Sequence, residues 1–324
     1  MNSYNIFQRR PLVLTQFIKT NHFEETVNRR FSYKTKQSQT TNSGKVENGI
    51  HHDFNKFNDL TGKEWLKFQK SWFVLNPKRR SKDVLLHPAK FPEELVESFV
   101  NFFTRSGDIV LDPMAGTGST IISCINSNRS SIGIELSQNY SKIAGKRIES
   151  TIDEVEDKSG RASLETRFFC GDARDIDELG IDSIDYCITS PPYWDMLLSK
   201  GFETQEERKK MNLDTHYSDS SRDLGNMRVY EDFLDVLVDI YMKVHNVLKP
   251  GAFLTVIVKN IKKKGKIYPL AWDISRRLSN FFILKDEKIW CQDNIRLAPY
   301  GYGRTWVSNT FHHYCLNFRK DPMA

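Results

Sequence analysis

The sequence predicts a doubly wound α/β fold on a mostly parallel, seven-stranded, Rossmann-like sheet, and two patterns predict it. Seven short apolar runs, at 109–111, 131–134, 167–170, 184–189, 253–259, 283–290 and 314–318, are interleaved with stretches of helical character. Most of these runs are apolar almost throughout, as strands covered on both faces should be. Helices fit between them at 120–127, 137–150, 230–247 and 269–281. Alternation of this length puts helices on both faces of the sheet and ligands beyond the carboxyl ends of its strands.

Two elements precede the first strand. In LTGKEWLKFQKSWF, Leu60, Trp65, Phe68 and Trp72 stand near helical spacing. FPEELVESFVNFF makes a stronger helix: Pro92 starts it, Glu93 and Glu94 fill the first turn, and Leu95, Val96, Phe99, Val100 and Phe103 form one apolar stripe. Further upstream, 34–52 is polar without apolar periodicity and reads as a linker. The expected organisation is a basic arm with a linker over 1–52 and one large domain over 53–324.

With 324 residues, 39% hydrophobic and 27% charged, the chain can bury a real core. No apolar run approaches the roughly 18 residues that span a bilayer. Arg9 and Arg10, followed by Pro11 and a short apolar patch, do not fit a signal peptide. Five dispersed cysteines without a Cys-x-x-Cys pair argue against a disulfide framework or zinc site and for a reducing cytoplasm, nucleoid-associated if DNA is the partner. The net charge of +6 is uneven: residues 1–86 hold 16 Lys+Arg against 7 Asp+Glu, the remainder 31 against 34. A basic arm on a near-neutral body suits a polyanion, and equally suits a solvated tail.

The residues at the strand ends carry the chemistry. The first strand runs into DPMAGTGST, where Gly116 and Gly118 allow a sharp turn into a helix and close approach of a ligand. No Gly-Lys-Ser/Thr follows, so this is not a P-loop. The second strand ends in Glu135, 23 residues past Asp112, where an acid can take both ribose hydroxyls. The third ends in Gly171-Asp172, an acid placed for an adenine amino group. Acids at three consecutive strand ends point to a nucleoside-type cofactor.

The fourth strand delivers Ser190-Pro191-Pro192-Tyr193-Trp194. An exocyclic amine on a base is a poor nucleophile because its lone pair is delocalised into the ring. Accepting both its hydrogens, at Ser190 and at the Pro191 carbonyl, draws the nitrogen toward tetrahedral geometry, and Pro191 and Pro192 hold the loop still. Tyr193 offers a stacking face for an extruded base and a π cloud for the charge that develops.

DPMAGTGST, GIEL, GDARD and TSPPYW, in this order and spacing, resemble the amino-methylating (N4-cytosine/N6-adenine) DNA methyltransferases. HPAKFP resembles that family's tenth motif, and VLKPGAFLTVIV, EKIW and HHYCLNFRK its later strands. The resemblance covers roughly residues 60–320. It implies a methyltransferase sheet that binds S-adenosylmethionine, with cofactor contacts at Lys90, Phe91, Asp112, Gly116, Gly118, Glu135 and Asp172 and a catalytic loop of Ser190, Pro191, Pro192 and Tyr193. It also implies double-stranded DNA as substrate, a separately encoded restriction endonuclease as a partner sharing the target, and chemistry that needs no metal. Ser at position 190 favours N4 of cytosine, with N6 of adenine as the alternative, followed by RNA amino-methylation and a non-catalytic nucleic-acid-binding role. Ring-carbon methylation is excluded, since no cysteine follows a proline to supply a thiolate.

Members of that family with this motif order often carry a sizeable target-recognition domain, and this chain departs from them. Only 195–229 separates Trp194 from the next helix, so recognition must be shared with 262–268, the loop at 292–310 and the arm. The lysine run within 262–268 reads most simply as a solvated loop. Of the paired histidines, His51 and His52 lie in the linker and His312 and His313 start a strand, neither with a metal-ligand pattern around it.

Overall fold

The computed structural model describes residues 55–77, 91–159, 164–194, 220, 222–263, 265–297, 299, 302–303 and 308–323. The arm and linker, Lys90, most of 195–229 and most of the 298–306 loop lie outside the described residues.

All seven expected strands form: β2 (Ile109–Asp112), β3 (Ser130–Glu135), β4 (Thr166–Cys170), β5 (Ile184–Thr189), β6 (Leu248–Val258), β9 (Ile283–Cys291) and β10 (His312–Arg319). The count of seven is nevertheless corrected to eight by β1 (Trp72–Val74), which pairs in parallel with the rim of β9. Trp72, read as part of a helical stripe, lies in this edge strand at 50% exposure. The helix before it, α1 (Gly62–Phe68), is closed at its start by a capping box between Thr61 and Glu64. It stops four residues short of Trp72 because the Lys288 ammonium, brought from β9, donates to the carbonyls of Phe68 and Lys70. That partner is 220 positions away and invisible to local periodicity.

Sheet order is β1-β9-β10-β6-β5-β2-β3-β4. All pairings are parallel except those of β10 with β6 and β9. From β2 the chain winds outward through β3 to β4, then returns to place β5 on the other side of β2. The strand order therefore reverses between β2 and β5, and a crevice opens beyond their carboxyl ends. Helices α2 (Glu93–Phe103), α3 (Ser119–Asn126), α4 (Gln138–Ser159), α5 (Tyr230–Val247) and α6 (Leu270–Leu278) cover the sheet. Two short strands, β7 (Ile261–Lys263) and β8 (Lys266–Tyr268), form a separate hairpin where the sequence suggested a solvated loop.

Packing follows the pattern of apolar residues with one shift. On α2, Leu95, Val96, Phe99 and Val100 are buried as expected, and Phe102 is buried in addition to the half-buried Phe103. Phe102 stacks on Phe68 at 3.9 Å and meets Trp65 at 4.8 Å, so α1 closes a face that α2 alone would leave open. Beneath the crevice, Gly133 on β3 is needed for packing: a Cβ there would stand 2.8 Å from the ring of Phe168. No helix among the described residues is long and apolar enough to cross a membrane.

Candidate active site

The cavity at the switch point is lined by residues from each strand end in turn. Phe91 comes from the start of α2, Met114 to Thr117 from the turn after β2, and Glu135 to Ser137 from the end of β3. Asp172 and Ala173 follow β4, Ser190 and Pro192 follow β5, and Arg222 to Leu224 return from beyond the insertion. Strands four to six residues long, laid side by side in parallel, end at nearly the same height, which is why residues so far apart in sequence converge.

The turn after β2 is held from behind. Asp112 is fully buried and does not line the cavity; its Oδ1 accepts from the Met114 N–H at 3.0 Å and its Oδ2 from Thr120 Oγ1 at 2.5 Å. Burial pushes its carboxyl up to about 6 against those hydrogen bonds. Gly116 and Gly118 both sit at positive φ, +54° and +84°, the left-handed region that side chains resist. Gly118 also lies outside the lining: a Cβ on it would press on that of Ala144 at 3.2 Å, so it brings α3 against α4. Arg147, from α4, donates to the Thr117 carbonyl and to Glu93, bracing the turn from a direction the sequence reading missed.

Glu135 faces the cavity with its two oxygens already oriented. Oε2 accepts from the Gly116 N–H at 2.9 Å and Oε1 from the Ser137 N–H at 2.7 Å. Burial raises its carboxyl to about 7 despite both bonds. Each oxygen keeps a further lone pair for a hydroxyl donor. Ser119, at the start of α3, lines the same cavity, its Oγ buried and without a hydrogen-bond partner among the described residues. A bidentate acceptor, an unpaired hydroxyl, an apolar wall from Phe91 and a turn that admits close backbone approach together fit a nucleoside-bearing ligand.

Asp172 lines the cavity with both carboxylate oxygens engaged by arginines. Arg174 donates from Nε and a terminal nitrogen to its two oxygens at 2.9 and 2.7 Å, and Arg222 Nε reaches Oδ2 at 2.7 Å. Burial opposes ionisation of Asp172, and the two guanidiniums outweigh it, holding the carboxyl below its usual value. Arg222 also spans to Asp175 at 3.0 Å. Arg174 was within reach of the sequence, two residues along in GDARD, whereas Arg222 is 50 positions away and had no local signal.

Beyond β5, Ser190 and Pro192 face the cavity while Pro191 and Tyr193 turn inward. Tyr193 is only 6% exposed, so its ring is not an open stacking platform in this conformation. Burial lifts its phenol to about 12, opposed by a hydrogen bond with the Ser190 side chain. Its ring lies 6.4 Å from that of His313 and 5.7 Å from Lys259 Nζ. His313 stacks on Trp290 at 4.4 Å, and burial, with Lys259 and His312 nearby, lowers it to about 3, keeping it neutral. Trp194 takes positive φ, +47°, and buries its indole between Tyr230 and Tyr268.

A family model described as DNA methylase matches residues 13–146, an interval that holds the Gly turn and Glu135, stops before Ser190, and begins inside the segment read as an arm. The chain is 38% identical over 84 residues to the orphan methyltransferase M.BamHII of Bacillus amyloliquefaciens, covering 25% of this chain and 32% of that one. It is 36% identical over 78 residues to the type II methyltransferase M.HpaI of Haemophilus parainfluenzae, covering 23% and 25%. The chain thus spans under a third of the length of these relatives. Among solved structures it is similar to an rRNA methylase from Streptococcus thermophilus, at 12% identity and TM-score 0.40 over 72% of this chain and 98% of that one; nothing further rests on so distant a likeness. The fold is an α/β, Rossmann-like fold with a mixed, mostly parallel sheet.

Proposed function

We propose that this protein is an S-adenosylmethionine-dependent DNA methyltransferase that modifies the exocyclic N4 amine of cytosine in a flipped base. The observation that carries the reading is the convergence on one cavity of the Glu135 carboxylate, the glycine turn, and Ser190 and Pro192 from the loop after β5. S-adenosylmethionine, when bound, supplies an electrophilic methyl on a sulfonium. Glu135 accepts the ribose hydroxyls, Gly116 and Ser119 flank the ligand, and Phe91 covers it. At the other wall, Ser190 and the Pro191 carbonyl accept the hydrogens of the target amine and free its lone pair for in-line attack on that methyl; the S–C bond breaks to leave a thioether, and the methylated nitrogen sheds one proton to solvent. The Tyr193 ring must turn toward the cavity to stack on the base, a change of state coupled to base entry.

The match to a family described as DNA methylase, with the short matches to orphan and type II methyltransferases beside it, supports DNA as the substrate. Serine at position 190 supports cytosine over adenine. The test is to incubate the full chain with duplex DNA and methyl-labelled S-adenosylmethionine and to resolve the nucleosides by mass spectrometry. N4-methylcytosine is the expected product. N6-methyladenine would keep the mechanism and overturn the base, and the absence of any methylated base would overturn the activity.

A further inference from the structure

Three neighbouring strands bring one edge of the sheet to the loop that receives the base. Thr189 of β5 pairs with Val256 of β6, and Val258 of β6 pairs with Tyr314 of β10, which runs the other way. Ser190 leaves the end of β5 at this edge. One residue past the Val258–Tyr314 rung, Lys259 and His313 stand opposite one another. The Tyr193 ring joins all three: its hydroxyl hydrogen-bonds with the Ser190 side chain, the Lys259 ammonium lies 5.7 Å from its centroid, and the His313 ring lies 6.4 Å away.

Two features of this edge point to a ligand with acceptor atoms. His313 is 9% exposed, and its Nδ1 is buried without a partner among the described residues, a cost that a bound group would remove. Lys259 is half-buried beside the same ring, and burial lowers its ammonium below the ordinary lysine value. Charged or neutral, it keeps N–H groups to donate. The movement required of Tyr193 frees that donor: when the ring turns to stack on a base, Nζ gives up the ring face as a base edge arrives.

The chemistry of that edge says which base is accepted. Beside its N4 amine, cytosine presents the N3 and O2 acceptors in turn. Adenine presents N1 beside its N6 amine, and then a C–H where cytosine has O2. With the amine held at Ser190 and the Pro191 carbonyl, a donor at the far end of the edge meets a carbonyl in cytosine and a C–H in adenine. A site built to make a hydrogen bond rejects the analogue that leaves its own polar group unpaired.

We propose that Lys259 selects cytosine by donating from Nζ to the O2 carbonyl of the flipped base, with His313 Nδ1 beside the neighbouring ring nitrogen, while Ser190 and Pro191 hold N4. The inference rests on the reading of this chain as a cytosine-N4 methyltransferase. Its test uses the full chain as wild type, Lys259→Met and Lys259→Arg, each incubated with unmethylated bacterial genomic DNA and S-adenosylmethionine. N4-methylcytosine and N6-methyladenine are then quantified by nucleoside mass spectrometry. Loss of one hydrogen bond from a charged donor should lower kcat/KM for cytosine about 10- to 150-fold in the Met variant. The ratio of N6-methyladenine to N4-methylcytosine should rise by a similar factor, because adenine never used the contact. Lys259→Arg restores a donor and should keep the ratio near that of the wild type, with S-adenosylmethionine affinity by calorimetry alike in all three. A purely structural role would lower both products together. That outcome, or a Met variant with the wild-type rate and ratio, would overturn the inference while leaving the parent reading in place. A wild type that forms only N6-methyladenine, or no methylated base, would overturn the parent reading and this inference with it.

Discussion

At the carboxyl ends of β2, β3 and β4, each carboxylate is held by donors from the protein itself. Asp112 takes Met114 and Thr120, Glu135 takes Gly116 and Ser137, and Asp172 takes Arg174 and Arg222. Across the switch point, behind the loop that follows β5, the indole N–H of Trp194 and Nδ1 of His313 are buried without partners among the described residues, whereas on the near side Ser119 Oγ is such a group beside the held carboxylates. A buried unpaired polar group costs about 1–3 kcal/mol. The carboxylates on the first wall are therefore preorganised, while the loop that forms the second wall rests on unpaired groups behind it and is poised, as suits a constant ligand on one side and a base that must be extruded on the other.

The largest effect should fall on the poised wall. Tyr193→Ala removes the stacking face, and base–aromatic stacking worth roughly 1–3 kcal/mol predicts about a 5- to 150-fold loss of turnover. Cofactor affinity, measured by calorimetry, should hold. Tyr193→Phe keeps the ring and loses only the hydroxyl bonded to Ser190, so it should be several-fold slower at most. If both variants are equally impaired, the buttress on Ser190 matters and the stacking does not.

On the preorganised wall, Glu135→Ala should weaken S-adenosylmethionine binding by about 1.5–3 kcal/mol, the worth of charge-assisted hydrogen bonds, with the fold intact. Unchanged affinity in a folded variant would remove Glu135 from the ribose site.

Acidity refines the same contrast. Glu135 is raised from 4.5 to about 7 by burial, so below that pH it is largely protonated and must release a proton to accept two hydroxyls. Cofactor affinity should therefore rise with pH toward about 7 and then level off, and Glu135→Gln should flatten the profile. For the free protein the sign is opposite. Between 4.5 and about 7 the native state binds more protons than the unfolded one, so this group's contribution to stability falls as pH rises. Calorimetric scans across that window check both.

The smallest effect is expected at the seam between the walls. Asp172 is held below its usual value, so the stability it contributes is present above the ordinary Asp range and lost as pH falls through its lowered value. Because both arginines are partly exposed, Asp172→Asn should cost only about 1 kcal/mol at neutral pH, read as a small drop in Tm, and should remove that part of the acid sensitivity. A large loss of cofactor affinity in this variant would restore Asp172 as an adenine ligand.

The sequence by itself determined seven of the eight strands of the main sheet and the residues that follow the first four of them. Continuous apolar runs mark buried strands, and a glycine turn followed by acids at successive strand ends marks a ligand-facing edge, because both signals lie within a few residues of each other. Ser190 to Tyr193 was legible for the same reason: it follows directly on the apolar run that became β5. Tertiary structure decided what depends on contacts between distant segments. Lys288 ends α1 and frees Trp72 for an edge strand; Arg222 occupies the acid that the spacing alone would give to adenine; Asp112 and Gly118 withdraw behind the turn they shape. The lysine run became a paired ribbon rather than a loop once Trp194, 69 positions before Lys263, provided a surface to rest on. Periodicity and spacing record which face a residue presents, whereas the partner it meets there is fixed only when the sheet brings strands side by side.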